Sequence, residues 1–364
     1  MSQLLQKIEF SAIAGWDTGQ HASALICFLQ SAARMAAKPY STKSLGVDAL
    51  ALAAIGSKAL ERFTNTSGIS DLTARAFFEE HFQPRKICAD GFVTGYFEPE
   101  LAASTEQSDE FCYPLYRRPD DLVDIDDHNR PADMDAYFMF AREENGNLSP
   151  YYNRHEINSG VLDGRGLEIF WLKDRVDCFF LHIQGSARLL FQNSTIKRVS
   201  YAAKTGHPFT AIGKYLVTIG AIVLEDVTMG SIDQWLRDNP GRMMEVMEQN
   251  QSYIFFQETD QPDPDLGPIA AAGVALTAGS SLAIDHKLHT FGTPIFVSSD
   301  KPMPGEKQPI SRLMIAQDTG SAIVGPGRGD IFVGSGKGAG EIAGAIKFNA
   351  KFIALLPRNQ AAPQ

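Results

Sequence analysis

RLMIAQDTGSAIVGPGRGDIFVG, residues 312–334, decides how this chain folds. The apolar run Leu313 to Ala316 reads as a strand that delivers Asp318 to its end, and Thr319 to Gly325 then turn the chain through permissive backbone positions. A second glycine-rich turn, Pro326 to Gly329, leads into the apolar strand Ile331-Phe332-Val333, with Asp330 at the junction. Two readings stay open on these residues alone. Asp318 and Asp330 cap turns while the glycines close a small barrel, or the turn holds the Asp330 carboxyl rigidly over a cleft.

Downstream, Gly334, Gly336 and Gly338 match neither the dinucleotide fingerprint nor the phosphate loop ending in Lys-Ser/Thr, so they read as a structural turn. Upstream, Gly267 to Ile284 is rich in small apolar residues but interrupted by Thr277, Ser280 and Ser281. It falls short of a membrane span and reads as buried strands around a turn. Asp285-His286 and Asp300 lack any compact histidine or thiolate partner set, which leaves them turn and core roles and gives no metal or cofactor. The proline-rich stretch Gln261 to Pro268 reads as a linker or covering loop.

Towards the N-terminus the texture turns helical. Leu25, Leu29, Ala32 and Ala36 recur at helical spacing within His21 to Lys38, and alanine-rich Val47 to Phe63 predicts a second helix. Asp71 to Phe82 predicts a third, capped by Ser70, with Pro84 marking an ending turn. Phe92 to Phe97 is strand-like, with Gly95 permitting a bulge or close backbone approach and Pro99 stopping the segment.

In the middle, polar Ala102 to Glu110 places a domain crossing near residue 105. Asp120 to Asp127 holds five aspartates but lacks the spacing of a calcium loop, so a solvated turn is expected. Leu167 to Leu172 and Val176 to Ile183 read as strands, His182 as a core imidazole, and Gln184-Gly185-Ser186 as a polar turn. Thr195 to Lys204 and Pro208 to Ile219 predict short helices, and Asn239-Pro240 starts another over 241–249.

Composition bounds the rest. A length of 364 residues allows two domains, and 44% hydrophobic with 21% charged residues supplies ordinary cores rather than a disordered chain. A net charge of -10 argues against nucleic acid as a partner. Cys27, Cys88, Cys112 and Cys178 are too scattered for a compact zinc or redox motif; their even number is compatible with disulfides without requiring them. Met1 to Phe10 carries no intact export signal.

Taken together, the ordered segments Gly95-Tyr96-Phe97-Glu98-Pro99, Tyr113-Pro114-Leu115-Tyr116, His182 to Ser186, Ser200-Tyr201-Ala202, Gly206-His207, Ala316 to Gly320, Asp330-Ile331-Phe332 and Ala343-Gly344 resemble the membrane-bound lytic murein transglycosylase A family. The resemblance implies a mainly β fold: a three-aspartate double-psi β-barrel built from both chain ends, with flanking helices and a second β-barrel-like domain inserted. The expected bounds are 1–104 and 243–364 for the barrel and 105–242 for the insert, with a sugar-binding groove between the domains.

Residue by residue, Asp285, Asp318 and Asp330 resemble the family's three acidic positions, with Asp330 as catalytic acid/base and the other two in support. Tyr96, Glu98, Gln184, Gly185 and Ser186 are expected to meet substrate. Ser321 stands where a second glycine is common and Val324 where lysine is frequent. The implied substrate is the peptidoglycan glycan strand, cut between N-acetylmuramic acid and N-acetylglucosamine to leave a 1,6-anhydro end. The implied setting is the bacterial periplasm near the outer membrane, alongside other cell-envelope proteins, with a monomer, no cofactor and no membrane span of its own. A two-carboxylate hydrolytic glycosidase and a noncatalytic glycan-binding protein are the competing readings.

Overall fold

The computed structural model describes residues 4–260, 263 and 265–358; Gln261, Pro262 and Pro264 of the expected linker and Met1 to Gln3 lie outside them. In chain order the elements are β1 (Leu5–Lys7), α1 (His21–Ala37), α2 (Ala49–Arg62), α3 (Asp71–His81), β2 (Phe82–Ile87) and β3 (Phe92–Glu98). There follow β4 (Glu100–Ser104), β5 (Tyr113–Tyr116), β6 (Leu122–Asp124), β7 (Phe140–Glu144), β8 (Asn147–Ser149), α4 (Arg154–Asn158), β9 (Glu168–Leu172), α5 (Arg175–Gln184), β10 (Ser186–Leu190) and β11 (Ile196–Lys204). The remainder is α6 (Ile212–Thr218), α7 (Met229–Asp238), α8 (Pro240–Met247), β12 (Ile254–Thr259), β13 (Ser281–Ile284), β14 (Pro294–Pro302), β15 (Pro309–Asp318), β16 (Arg328–Ser335), α9 (Lys337–Ala345), β17 (Lys347–Asn349) and β18 (Lys351–Pro357).

The chain divides into two compact units, Met1–Phe97 with Gln261–Gln364, and Glu98–Asp260. The second is therefore inserted in the first, with crossings at 97/98 and 260/261 beside the expected 104/105 and 242/243. Among the described residues the strands form three sheets, of nine, six and three strands, so the fold is mixed α/β and dominated by sheets.

The first unit holds the nine-stranded sheet, ordered β1-β2-β18-β14-β15-β13-β16-β3-β17. Its central strands read as continuous apolar runs because both faces are buried. Along β15, Leu313 and Ile315 join the core under α1–α3, while Met314 and Ala316 join a second core on the opposite face. In β18 Ile353 and Leu355 face the helices, and Phe352, Ala354 and Leu356 face away. Each such leucine, isoleucine, methionine or phenylalanine side chain contributes about 1.5–3 kcal/mol of burial. The three N-terminal helices form as expected. Asp48 accepts from the Leu50 and Ala51 amides to cap α2, and Ser70 accepts from Thr73 to cap α3.

The second unit holds the six-stranded sheet β12-β11-β10-β4-β9-β5 and the small β6-β7-β8 sheet. Here several expectations are corrected. Val176 to Ile183 is not a strand: Asp174 accepts from the Asp177 amide to start α5, and Gly185, left-handed at φ +81°, ends it. Val176 and Phe179 join one core and Cys178 and Leu181 another, each pair at the i, i+3 spacing of a helix, but an apolar run this dense carries no decisive period. Thr195 to Lys204 is not a helix either, because β11 lies between β10 and β12 and pairs with both. In the first unit Pro84 ends nothing; it sits inside β2, opposite Leu355, and its carbonyl accepts from Ile8.

Four of the aspartates between residues 120 and 127 are ion-paired, Asp120 with Arg117, Asp121 with Arg165, Asp124 with Arg118 and Asp127 with Arg130. All four cysteines are free.

Candidate active site

Strand pairing places the two late aspartates side by side. Ala283 on β13 is the register partner of Asp318 on one flank and of Asp330 on the other. Three strands in one row put the two aspartate backbones about 10 Å apart.

The end of β15 is fixed from within. The Gln317 amide is wholly buried and fully used: its nitrogen donates to the Cys27 carbonyl and Ser31 hydroxyl, both at 2.9 Å, and its oxygen accepts from Ser281 and Cys27. Asp318, the next residue, receives three donors. The Tyr96 hydroxyl donates to Oδ2 at 2.9 Å, and the Thr319 and Ala271 amides donate to Oδ1 at 2.9 and 3.3 Å. Burial raises its carboxyl above the ordinary range, against those hydrogen bonds.

Asp330 differs in kind. Arg328, two residues back along β16, donates to its Oδ1 at 2.6 Å and to the Thr94 hydroxyl at 2.7 Å. Its Oδ2 has no protein partner among the described residues. Burial raises this carboxyl as well, opposed by the Arg328 cation. Tyr96 stacks against Phe332 of β16 at 5.4 Å between ring centroids, and burial together with Asp318 pushes its phenol well above its usual value. It therefore stays a neutral donor. The arrangement offers one committed carboxylate and one carboxyl group with a free oxygen.

Asp285, one residue past β13, closes turns: its carboxylate accepts from the Lys287 and Gly325 amides at 3.0 and 2.9 Å. Ser321 does not adopt a left-handed φ, so its Cβ is accommodated where glycine is common, and Val324 is exposed.

The remaining expected residues belong to the other unit. Glu98 is fully buried between Arg188 and Arg198, at 3.1 and 3.2 Å, and its side chain presents no surface. Gln184 ends α5 with its amide 3.8 Å from the Met229 sulfur, Gly185 caps the helix, and buried Ser186 opens β10.

Sequence reasoning assigned no role to Arg328 or Thr94. The signal for Arg328 was present, since residues two apart on a strand share a face. None marked Thr94, which lies 234 positions from its partner.

A family model described as the MltA specific insert domain matches residues 92–257, and one described as the 3D domain matches 280–356. The chain is similar to the crystal structure of a membrane-bound lytic murein transglycosylase from Agrobacterium tumefaciens, with 42% identity, a TM-score of 0.91 and 98% of each chain covered. It is similar to E. coli MltA with bound chitohexaose, at 25% identity and a TM-score of 0.64, covering 84% of this chain and 83% of that one. Membrane-bound lytic murein transglycosylase A of Vibrio cholerae is 30% identical over 261 residues, which are 70% of this chain and 62% of that protein. The chain thus spans less than two thirds of that curated relative's length. With both family models matched in order, and a solved relative of 42% identity covered almost end to end, the chain belongs to the membrane-bound lytic murein transglycosylase A family.

Proposed function

We propose that the chain is a peptidoglycan lytic transglycosylase that cuts the β-1,4 bond between N-acetylmuramic acid and N-acetylglucosamine, with Asp330 as its single acid/base. The observation that carries this reading is the inequality of the two carboxyl groups. Asp318 is occupied by three donors, whereas Asp330 keeps Oδ2 free and is held towards its protonated form by burial.

In the first step Asp330 gives its Oδ2 proton to the leaving glycosidic oxygen as the bond to the anomeric carbon breaks. Arg328 then faces a full carboxylate, an interaction stronger after proton transfer than before it, which favours the charge-separated state. In the second step the muramic C6 hydroxyl bonds to the anomeric carbon and its proton returns to Asp330. Water is neither consumed nor added. The Tyr96–Asp318 hydrogen bond ties β3 to the end of β15, and Glu98 fixes Arg188 and Arg198 in the inserted unit.

The same reading makes the nine-stranded sheet a double-psi barrel and sets the enzyme in the periplasm at the cell wall, near the outer membrane. Among the described residues no helix is long and apolar enough to cross a membrane. The chitohexaose bound to the E. coli relative supports a β-1,4-linked sugar chain as the kind of ligand accepted.

Digestion of purified peptidoglycan in heavy-oxygen water tests the reaction. Muramic ends one water lighter than the hydrolytic product, and free of the label, are expected. Labelled reducing ends would replace this reading with a two-carboxylate hydrolase.

A further inference from the structure

The inserted unit contains a cavity of about 720 Å³ that the chemistry above does not use. Arg154, the first residue of α4, lies in its wall with only 3% of its surface exposed. Its guanidinium is sandwiched by Phe179 and Tyr253, 4.9 and 5.2 Å from the ring centroids. Nε donates to the Asn250 carbonyl at 2.8 Å and one terminal nitrogen to the Ser252 carbonyl at 2.5 Å. The other terminal nitrogen lies 3.1 Å from Nδ1 of His182. Among the described residues no carboxylate is within ion-pair distance of this cation, and burial pulls it down to about 10.

His182 completes the asymmetry. Arginine can only donate, so Nδ1 must accept, and in the neutral ring the proton then sits on Nε2. Burial, reinforced by Arg154, lowers this imidazole well below its usual value, so the neutral form holds. The Nε2 donor is buried and has no acceptor among the described residues. A buried donor without a partner and a buried cation without a counterion both call for an anionic oxygen.

The same cavity is lined by Asp163 and Glu168, whose charges act on Tyr116, and by Arg175, which stacks on Tyr113. Glu248 acts on Arg154 from a distance while bonded to His155 and Asn158. Cationic and acidic groups among aromatic walls suit a short peptide bearing both carboxylates and an ammonium group, and the volume is that of a small-ligand site.

We propose that this cavity binds a carboxylate of the peptide stem attached to the glycan strand, with Arg154 supplying the charge and Nε2–H of His182 the hydrogen bond. This rests on peptidoglycan being the substrate. It adds a recognition site remote in sequence from Asp330, for a part of the polymer that undergoes no chemistry.

Titration calorimetry with a free tetrapeptide stem, the same peptide with its carboxylates amidated, and chitohexaose tests the idea. The stem should bind at least about tenfold more tightly than its amidated form. His182→Asn leaves an acceptor for Arg154 but removes the distal donor, and should weaken stem binding about tenfold. Should that variant unfold, nitrogen NMR of wild-type protein serves instead: stem binding should shift the Nε2–H signal of His182, and the amidated peptide should not. Equal affinity for the two peptides, or no stem binding at millimolar concentration, would overturn the site. Cleavage of peptide-free glycan by wild type separates the two claims. Cleavage without stem binding removes only the site, and stem binding without cleavage removes only the proposed reaction.

Discussion

Arg328 sets how Asp330 titrates. The cation opposes the burial that raises the Asp330 carboxyl, so removing it should raise that carboxyl further. In Arg328→Gln the acid form persists to higher pH, and the falling limb of kcat/KM should move upward. The plateau should drop about 10- to 100-fold, because a charge-assisted hydrogen bond worth about 1.5–3 kcal/mol no longer meets the carboxylate formed after proton transfer. A pH–rate profile on isolated glycan strands checks both. An unshifted limb would mean that another group supplies the proton. The sequence displayed Asp330 at the end of a glycine-rich turn, but Arg328 was read as part of that turn and its pairing with Asp330 went unread. It did not display the Tyr96–Asp318 bond, whose partners are 222 positions apart in the chain and three strands apart in the sheet order.

At the scale of elements, local chemistry was readable at several caps and clean periods, though not at α5, whose Asp174 cap went unread. Ser70 and Asn239-Pro240 each mark a helix start that forms. The misread elements, α5 and β11, carry apolar or mixed runs in which helix and strand periods fit about equally, and tertiary pairing decides between them. Gly95 is the element-level feature of most consequence for the site. A Cβ there would stand 2.9 Å from the Ala343 Cα and 2.8 Å from Ile346 Cδ1, so the absent side chain lets α9 and its trailing residue sit on β3. Gly95→Ala should cost about 1–3 kcal/mol in urea unfolding and, by displacing the adjacent Tyr96, lower kcat/KM. Unchanged stability would show that the helix shifts freely.

At the scale of the whole molecule, the insertion is legible as a change in texture, though its bounds are not, because β3 runs without a break to Glu98 at the crossing. Glu100 pairs with Arg188, Arg188 with Arg198 and Arg198 with Thr259, so the entry and exit of the inserted unit share one row of its sheet. Three strand spacings put them about 14 Å apart. With its own sheets and cores, the segment 98–260 expressed alone should unfold cooperatively, as judged by coincident circular dichroism and fluorescence transitions. Non-coincident or absent transitions would show that it depends on the rest of the chain.

The account as a whole turns on Asp330, and Asp330→Asn addresses it directly. A carboxyl raised by folding costs stability once ionised, so wild type should lose stability relative to this variant as pH rises from about 4 to about 7. The melting temperature of the variant at neutral pH should therefore equal or exceed that of wild type. Mass spectrometry of peptidoglycan digested by this folded protein is the decisive measurement. Formation of 1,6-anhydro ends should fall by about a thousandfold or more. Anhydro ends released at the wild-type rate would contradict the assignment of the reaction to this residue.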